Sequence, residues 1–211
     1  MQAIIHALQE GAPFSYINIF VLGLAIATIV ERFIFILSKY KVDTKEFMSQ
    51  IRKLVNADNI DRAIKLCEAA PLPVLEVVRA GLTKVNRGEE AVIAGIEEAM
   101  GEVLPELEKR IGNLWSLANI ATLIGLLGTV KGLIVAFNAV ASGDEMSPSD
   151  KQQVLMGGIG EAMWNTAFGL GIAVFCMSFH LILHSMAKKH KLELEKATMK
   201  LENLLTLRRA G

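Results

Sequence analysis

Apolar residues in this chain fall in three long runs separated by amphipathic stretches. A hydrocarbon core about 30 Å thick is crossed by roughly 20 helical residues. The first run begins at Phe14 and reaches about Leu37, uncharged as far as Val30 and closing around Glu31-Arg32. The second extends from about Ile111 to Ala141 with Lys131 as its single charge, and the third from about Val154 to Met186 with Glu161 as its single charge. Runs this long and this pure favour membrane spans over the buried helices of a large soluble protein. They predict spans at 14–38, 111–141 and 154–187, the last two joined by a short link at 142–153.

Between the first two spans the pattern changes to helical amphipathicity. Ile51, Leu54 and Val55 keep spacings of three and four, as do Ile60, Ile64 and Cys67. Pro71 and Pro73 interrupt the region, and a helix resumes through Val74, Val77, Val78 and Leu82. From about Glu89 the series Val92, Ile96, Met100, Val103, Leu107, Ile111 predicts a helix running without a break into the second span, with Pro105 at most a kink. After the third span, Leu194, Ala197, Leu201, Leu204 and Leu205 extend a helical stripe over the tail 188–211. The fold class is therefore all-α: a polytopic membrane protein with long helical extensions. Apolar stripes outside the bilayer need partners, which points to an oligomer.

Charge adds orientation. Lys plus Arg and Asp plus Glu balance at 22 each, so no overall basic character argues for nucleic acid. The basic residues are nevertheless segregated: the segment 39–110 and the tail carry almost all of them, whereas residues 1–13 have none and the link 142–153 only Lys151. The positive-inside rule then puts the N-terminus and the link outside, and the large loop and the tail in the cytoplasm. The absence of Lys and Arg before Phe14 removes the charged region of a signal peptide, so the first span is expected to be retained. Cys67 and Cys176 are expected as reduced thiols.

Candidate chemistry is confined to the spans. There is no Gly-rich phosphate loop with a lysine and no nucleophile–base pair, so an enzyme is not expected. His180, His184 and His190 fall near helical spacing without acidic or sulfur ligands beside them, so neither a metal site nor a cofactor is expected. Hydrogen-bonding groups inside a bilayer usually face the bundle interior or a watery path, because facing lipid is costly. Span two carries Thr122, Thr129 and Lys131; span three carries Glu161, Asn165 and Thr166 on one strip. Gly125, Gly128 and Gly132 recur at spacings that let helices approach closely, and Gly169 lies on the facing span. Two such helices on a short link predict an antiparallel hairpin with Thr129 and Thr166 at similar depth. A threonine hydroxyl can simply bond the carbonyl one turn back, and Lys131 can snorkel outward. The grouping with Glu161 favours an ion pathway built from Thr129, Thr166, Glu161 and Asn165. Glu31 and Arg32 read as a pair at the cytoplasmic interface.

At these residues the sequence resembles the MotA/TolQ/ExbB proton-channel family, nearest to its three-span TolQ/ExbB branch. The match is carried by Glu31-Arg32 closing span one, by Gly125-Leu-Leu-Gly-Thr129-Val-Lys-Gly132, and by Gly158-Ile-Gly-Glu161-Ala-Met-Trp-Asn-Thr166-Ala-Phe-Gly169-Leu. The resemblance implies a pentamer in a bacterial inner membrane, enclosing the single spans of two ExbD/TolR-like partners. It also implies an effector of TonB/TolA or motility type. A partner aspartate would exchange the ion, Thr129 and Thr166 would line its path, and Glu161 would stand near the pore. The transported ion is expected to be H+, as Ala167 resembles proton-using members, with Na+ as the alternative. Lys131 departs from the family pattern, as does Val174-Phe175-Cys176 where a proline is common. A non-conducting membrane scaffold, or a motility version of the motor, are the competing readings.

Overall fold

The computed structural model describes residues 13–39, 44–143 and 147–210, with side chains given as far as residue 206. The N-terminal segment assigned to the outside thus lies outside the described residues, Pro13 excepted. All regular structure among the described residues is helical: α1 (Phe14–Lys39), α2 (Thr44–Asn56), α3 (Ile60–Cys67), α4 (Pro73–Thr83), a 3-10 turn (Val85–Arg87), α5 (Glu89–Glu108), α6 (Ile111–Ser142) and α7 (Pro148–Ala210). Three of them, α1, α6 and α7, contain stretches long and apolar enough to cross a membrane.

Local signals set most boundaries. Pro73 occupies the first turn of α4, where its missing N–H costs nothing. Gly88 precedes α5 with φ 117°, a conformation that a side chain would strain. Pro105 sits inside α5 without ending it. One expectation is corrected. The helix from Glu89 does not run into the second span: Lys109 is extended and Arg110 adopts a left-handed φ of 63°, so α5 stops and α6 starts afresh. Within the stretch 142–153 between the second and third spans, α7 already begins at Pro148. There the Asp150 N–H donates to Ser147 Oγ at 3.2 Å, a side-chain cap that fixes the start.

The chain forms two compact units. One comprises the described residues within 31–109 and 183–211. Its core is built from Phe47, Ile51 and Val55 of α2, Val77, Val78 and Leu82 of α4, Val92 and Ile96 of α5, and Leu194 and Leu201 of α7. These are the apolar positions at three-and-four spacing, and burying each large aliphatic side chain contributes about 1.5–3 kcal/mol. Cys67 lies in this core at 3% exposure, and desolvation pushes its thiol up to about 12. A group with a raised folded pKa contributes stability that is complete below its unfolded value and lost as pH rises through the folded one. Cys67 therefore stays a neutral thiol at all ordinary pH. Maleimide at pH 8 is expected to leave Cys67 unmodified in the folded protein and to label it in denaturant; rapid labelling of the folded protein would contradict the burial.

The other unit comprises the described residues within 1–30 and 110–182. Here a chain of small residues, Ala118, Ala121, Gly125, Gly128 and Ala136 on α6 with Ala162 on α7, is buried, whereas many large apolar residues point away. Phe20, Leu123, Phe137, Met163 and Val174 are all more than half exposed. Only 22–28% of each span's most apolar window is buried within the chain. In water that would be ruinous; in a bilayer, small residues meet each other and large ones meet lipid or neighbouring subunits.

Candidate functional site

The small residues position the site by bringing two backbones together. A Cβ added at Gly125 would lie 2.9 Å from the Asn165 carbonyl oxygen and 3.2 Å from Gly169 Cα. One added at Gly132 would lie 2.9 Å from Ala162 Cβ, and one at Gly169 only 2.6 Å from the Ala121 carbonyl oxygen. α6 and α7 therefore run antiparallel in a fixed register, pairing 121 and 125 with 169, 128 with 165, 132 with 162 and 136 with 158. Gly125, Gly128, Gly132 and Gly169 all stand on this seam.

At such short range two threonines on facing helices reach each other. The Thr129 and Thr166 hydroxyls are in direct hydrogen-bond contact. Thr129 Oγ1 also lies 3.0 Å from the Ala162 carbonyl oxygen across the seam and 3.3 Å from that of Gly125 in its own helix. Thr166 Oγ1 lies 3.3 Å from the same Gly125 oxygen. The local back-bond is thus only one of several partners, unlike at Thr122, whose hydroxyl donates to Ala118 O at 3.1 Å. Each threonine has a single proton to donate. Two protons are offered the Gly125 and Ala162 carbonyls and each other's oxygen, so more than one proton arrangement fits one heavy-atom frame.

The remaining predicted residues divide. Asn165 is buried and faces α1 as well as α6: its Oδ1 accepts a hydrogen bond from Ser15 Oγ at 2.9 Å, and its side chain fills the space beside Gly128. Glu161 is half-buried and lines a recess of about 350 Å³ together with Phe14, Lys131, Val135, Val154 and Asn165. The Lys131 ammonium stands 5.7 Å from the Phe14 ring centroid. The structure therefore unites Thr129 with Thr166, and Glu161 with Lys131 and Asn165, in two adjoining places rather than one strip. In the other unit, Arg32 is 4% exposed; it donates to Glu31 Oε1 and to the Glu106 carbonyl oxygen, both at 3.1 Å, and lies 4.7 Å from the Phe35 ring. The Glu31–Arg32 pair thereby also ties α1 to α5. Among the described residues no group of three potential ligands could hold a metal. His180 instead packs 6.3 Å from the Trp115 ring.

Two residues escaped the sequence reading. Ser15 and Asn18, each 1% exposed, are buried polar groups near the start of α1. Asn18 borders Gly169, and its Oδ1 has no hydrogen-bond partner. Their spacing of three in an otherwise uncharged run was the available signal: two polar groups on one face of a span mark the face that meets protein.

These features define a class: a multi-pass helical membrane protein whose second and third spans close on a hydroxyl pair. A family model for the MotA/TolQ/ExbB proton channel family matches residues 70–196, and the chain belongs to that family. It is 26% identical over 180 residues to the biopolymer transport protein ExbB-like 3 of Synechocystis, covering 85% of this chain and 84% of that protein. Shorter matches relate it to the Tol-Pal system protein TolQ of Haemophilus influenzae, 35% identical over 40% of this chain and 37% of the relative. They also relate it to the biopolymer transport protein exbB1 of Vibrio cholerae, 37% identical over 47% and 44%. The family energises transport as a channel and is not a family of enzymes.

Proposed function

We propose that this chain is the channel-forming subunit of a proton-driven motor in a bacterial inner membrane. It works as an oligomer, a pentamer by family likeness, around two copies of an ExbD/TolR-like single-span partner, and energises transport or mechanical work across the envelope. The N-terminus and the α6–α7 link face outward; the unit holding α2–α5 and the end of α7 is cytoplasmic. The observation that carries this reading is the Thr129–Thr166 pair, because two protons shared among several acceptors can rearrange without moving heavy atoms. The second and third spans supply hydroxyls and one carboxylate, Glu161, but no aspartate. The group that takes up and releases the proton belongs to the partner.

The test is reconstitution. Liposomes holding this protein with its single-span partner are expected to acidify under an imposed gradient at least roughly tenfold faster than liposomes holding either protein alone. Proton-tight vesicles containing the intact complex would leave the scaffold reading in possession.

A further inference from the structure

Lys131 is the residue that the family pattern leaves unexplained, and the structure gives it a setting. It is the only basic residue of α6, and it lines the same membrane-level recess as Glu161, the only acidic residue of α7 beyond its first turn and before residue 190. Their helices meet in register there, since Gly132 packs on Ala162. Opposite charges at this depth are tolerated when they stabilise each other. Two residues on a helix differ by about 200°, so Lys131 and Thr129 point to opposite sides of α6, yet they lie only about 3 Å apart along its axis. The ammonium therefore acts on the hydroxyl pair by its field, not by contact.

That field bears on which ion can use the site. The hydrogen-bond partners of the threonine pair are all oxygens: each other's hydroxyl and the carbonyls of Gly125 and Ala162. Oxygen-only sets of this kind suit a hard cation such as Na+ as well as a proton relay. A bare cation must bring its whole charge to the site. A proton can pass by rearranging hydrogen bonds.

We propose that Lys131 is a specificity-determining residue: its ammonium cancels the charge of Glu161 in their shared recess, which would otherwise draw metal cations towards the Thr129–Thr166 pathway, and so keeps that pathway proton-selective. This rests on the channel function proposed above. At an effective dielectric of about 20, a carboxylate left uncompensated about 10 Å away would favour a metal cation by roughly tenfold.

The experiment measures H+ and Na+ flux side by side in liposomes containing the complex with its single-span partner. The wild type is expected to pass protons and no Na+. K131M, and K131Q as a polar alternative if K131M assembles poorly, should raise the ratio of Na+ to H+ flux at least tenfold, while K131R keeps the wild-type ratio. An unchanged ratio in an assembled, proton-passing K131M or K131Q complex overturns the inference alone. So do Na+ flux in the wild type and loss of both fluxes in assembled variants. A wild-type complex that passes no ion overturns the channel function itself, and this inference with it.

Discussion

With both hydroxyls removed, in T129V combined with T166V, proton flux through the reconstituted complex is expected to fall roughly a hundredfold or more while the complex still assembles. Valine keeps the shape of threonine but cannot donate or accept. The contact between the hydroxyls, Thr129 to Ala162 O at 3.0 Å and Thr166 to Gly125 O at 3.3 Å are all lost. Each group forfeited at a buried polar step raises a barrier by about 1–3 kcal/mol, and every 1.4 kcal/mol is tenfold in rate. Packing at the seam is preserved, because the Gly125, Gly128 and Gly132 contacts do not involve the hydroxyls. The control is T129S with T166S, which retains both oxygens and should keep most of the flux. Should the valine pair conduct as the wild type does, the hydroxyls are helix glue and the proton passes elsewhere.

The second large effect comes from a single methyl group. G169A is expected to lower the thermal stability of the purified complex by several degrees and to cut its yield. The added Cβ would sit 2.6 Å from the Ala121 carbonyl oxygen and 3.1 Å from Gly125 Cα, both backbone atoms that move only if the helices part. Overpacking of this kind costs about 1–3 kcal/mol. The comparison is G101A in α5, where a new Cβ meets nothing within 4 Å. There the usual helical preference for alanine should apply and stability should hold or rise by about 0.5–1 kcal/mol. Thermal unfolding of the two variants beside the wild type decides it: equal midpoints for G169A and G101A would mean that the seam is looser than its geometry indicates.

Both effects arise from one register, and its parts were legible to different degrees. Three long apolar runs with few charges are a property of local composition, so the number of spans and their helical state followed from the sequence alone. The glycine spacing on span two likewise announced a close-packed face, because only residues without side chains allow backbones to approach. Thr129 and Thr166 were placed at similar depth by simple counting from a short link. The helix joint at Lys109–Arg110 was not legible: an apolar series continues across it, and nothing in Lys-Arg announces the left-handed turn that Arg110 adopts. The short link was half legible, in that Ser147-Pro148 is a good helix start masked by the polar residues that follow it.

What the sequence determined by itself was therefore the periodic and the local: spans, amphipathic stripes, small-residue faces and the identity of the polar groups inside the apolar runs. Which of those groups touch was decided only by the tertiary structure. Glu161, Asn165 and Thr166 lie close together along one helix, yet Asn165 turns to Ser15 of α1, Thr166 to Thr129 of α6, and Glu161 to the recess with Lys131. A helix shows different sides to different neighbours at each step of 100°, and the neighbour on each side is set by packing across the molecule, not by sequence distance.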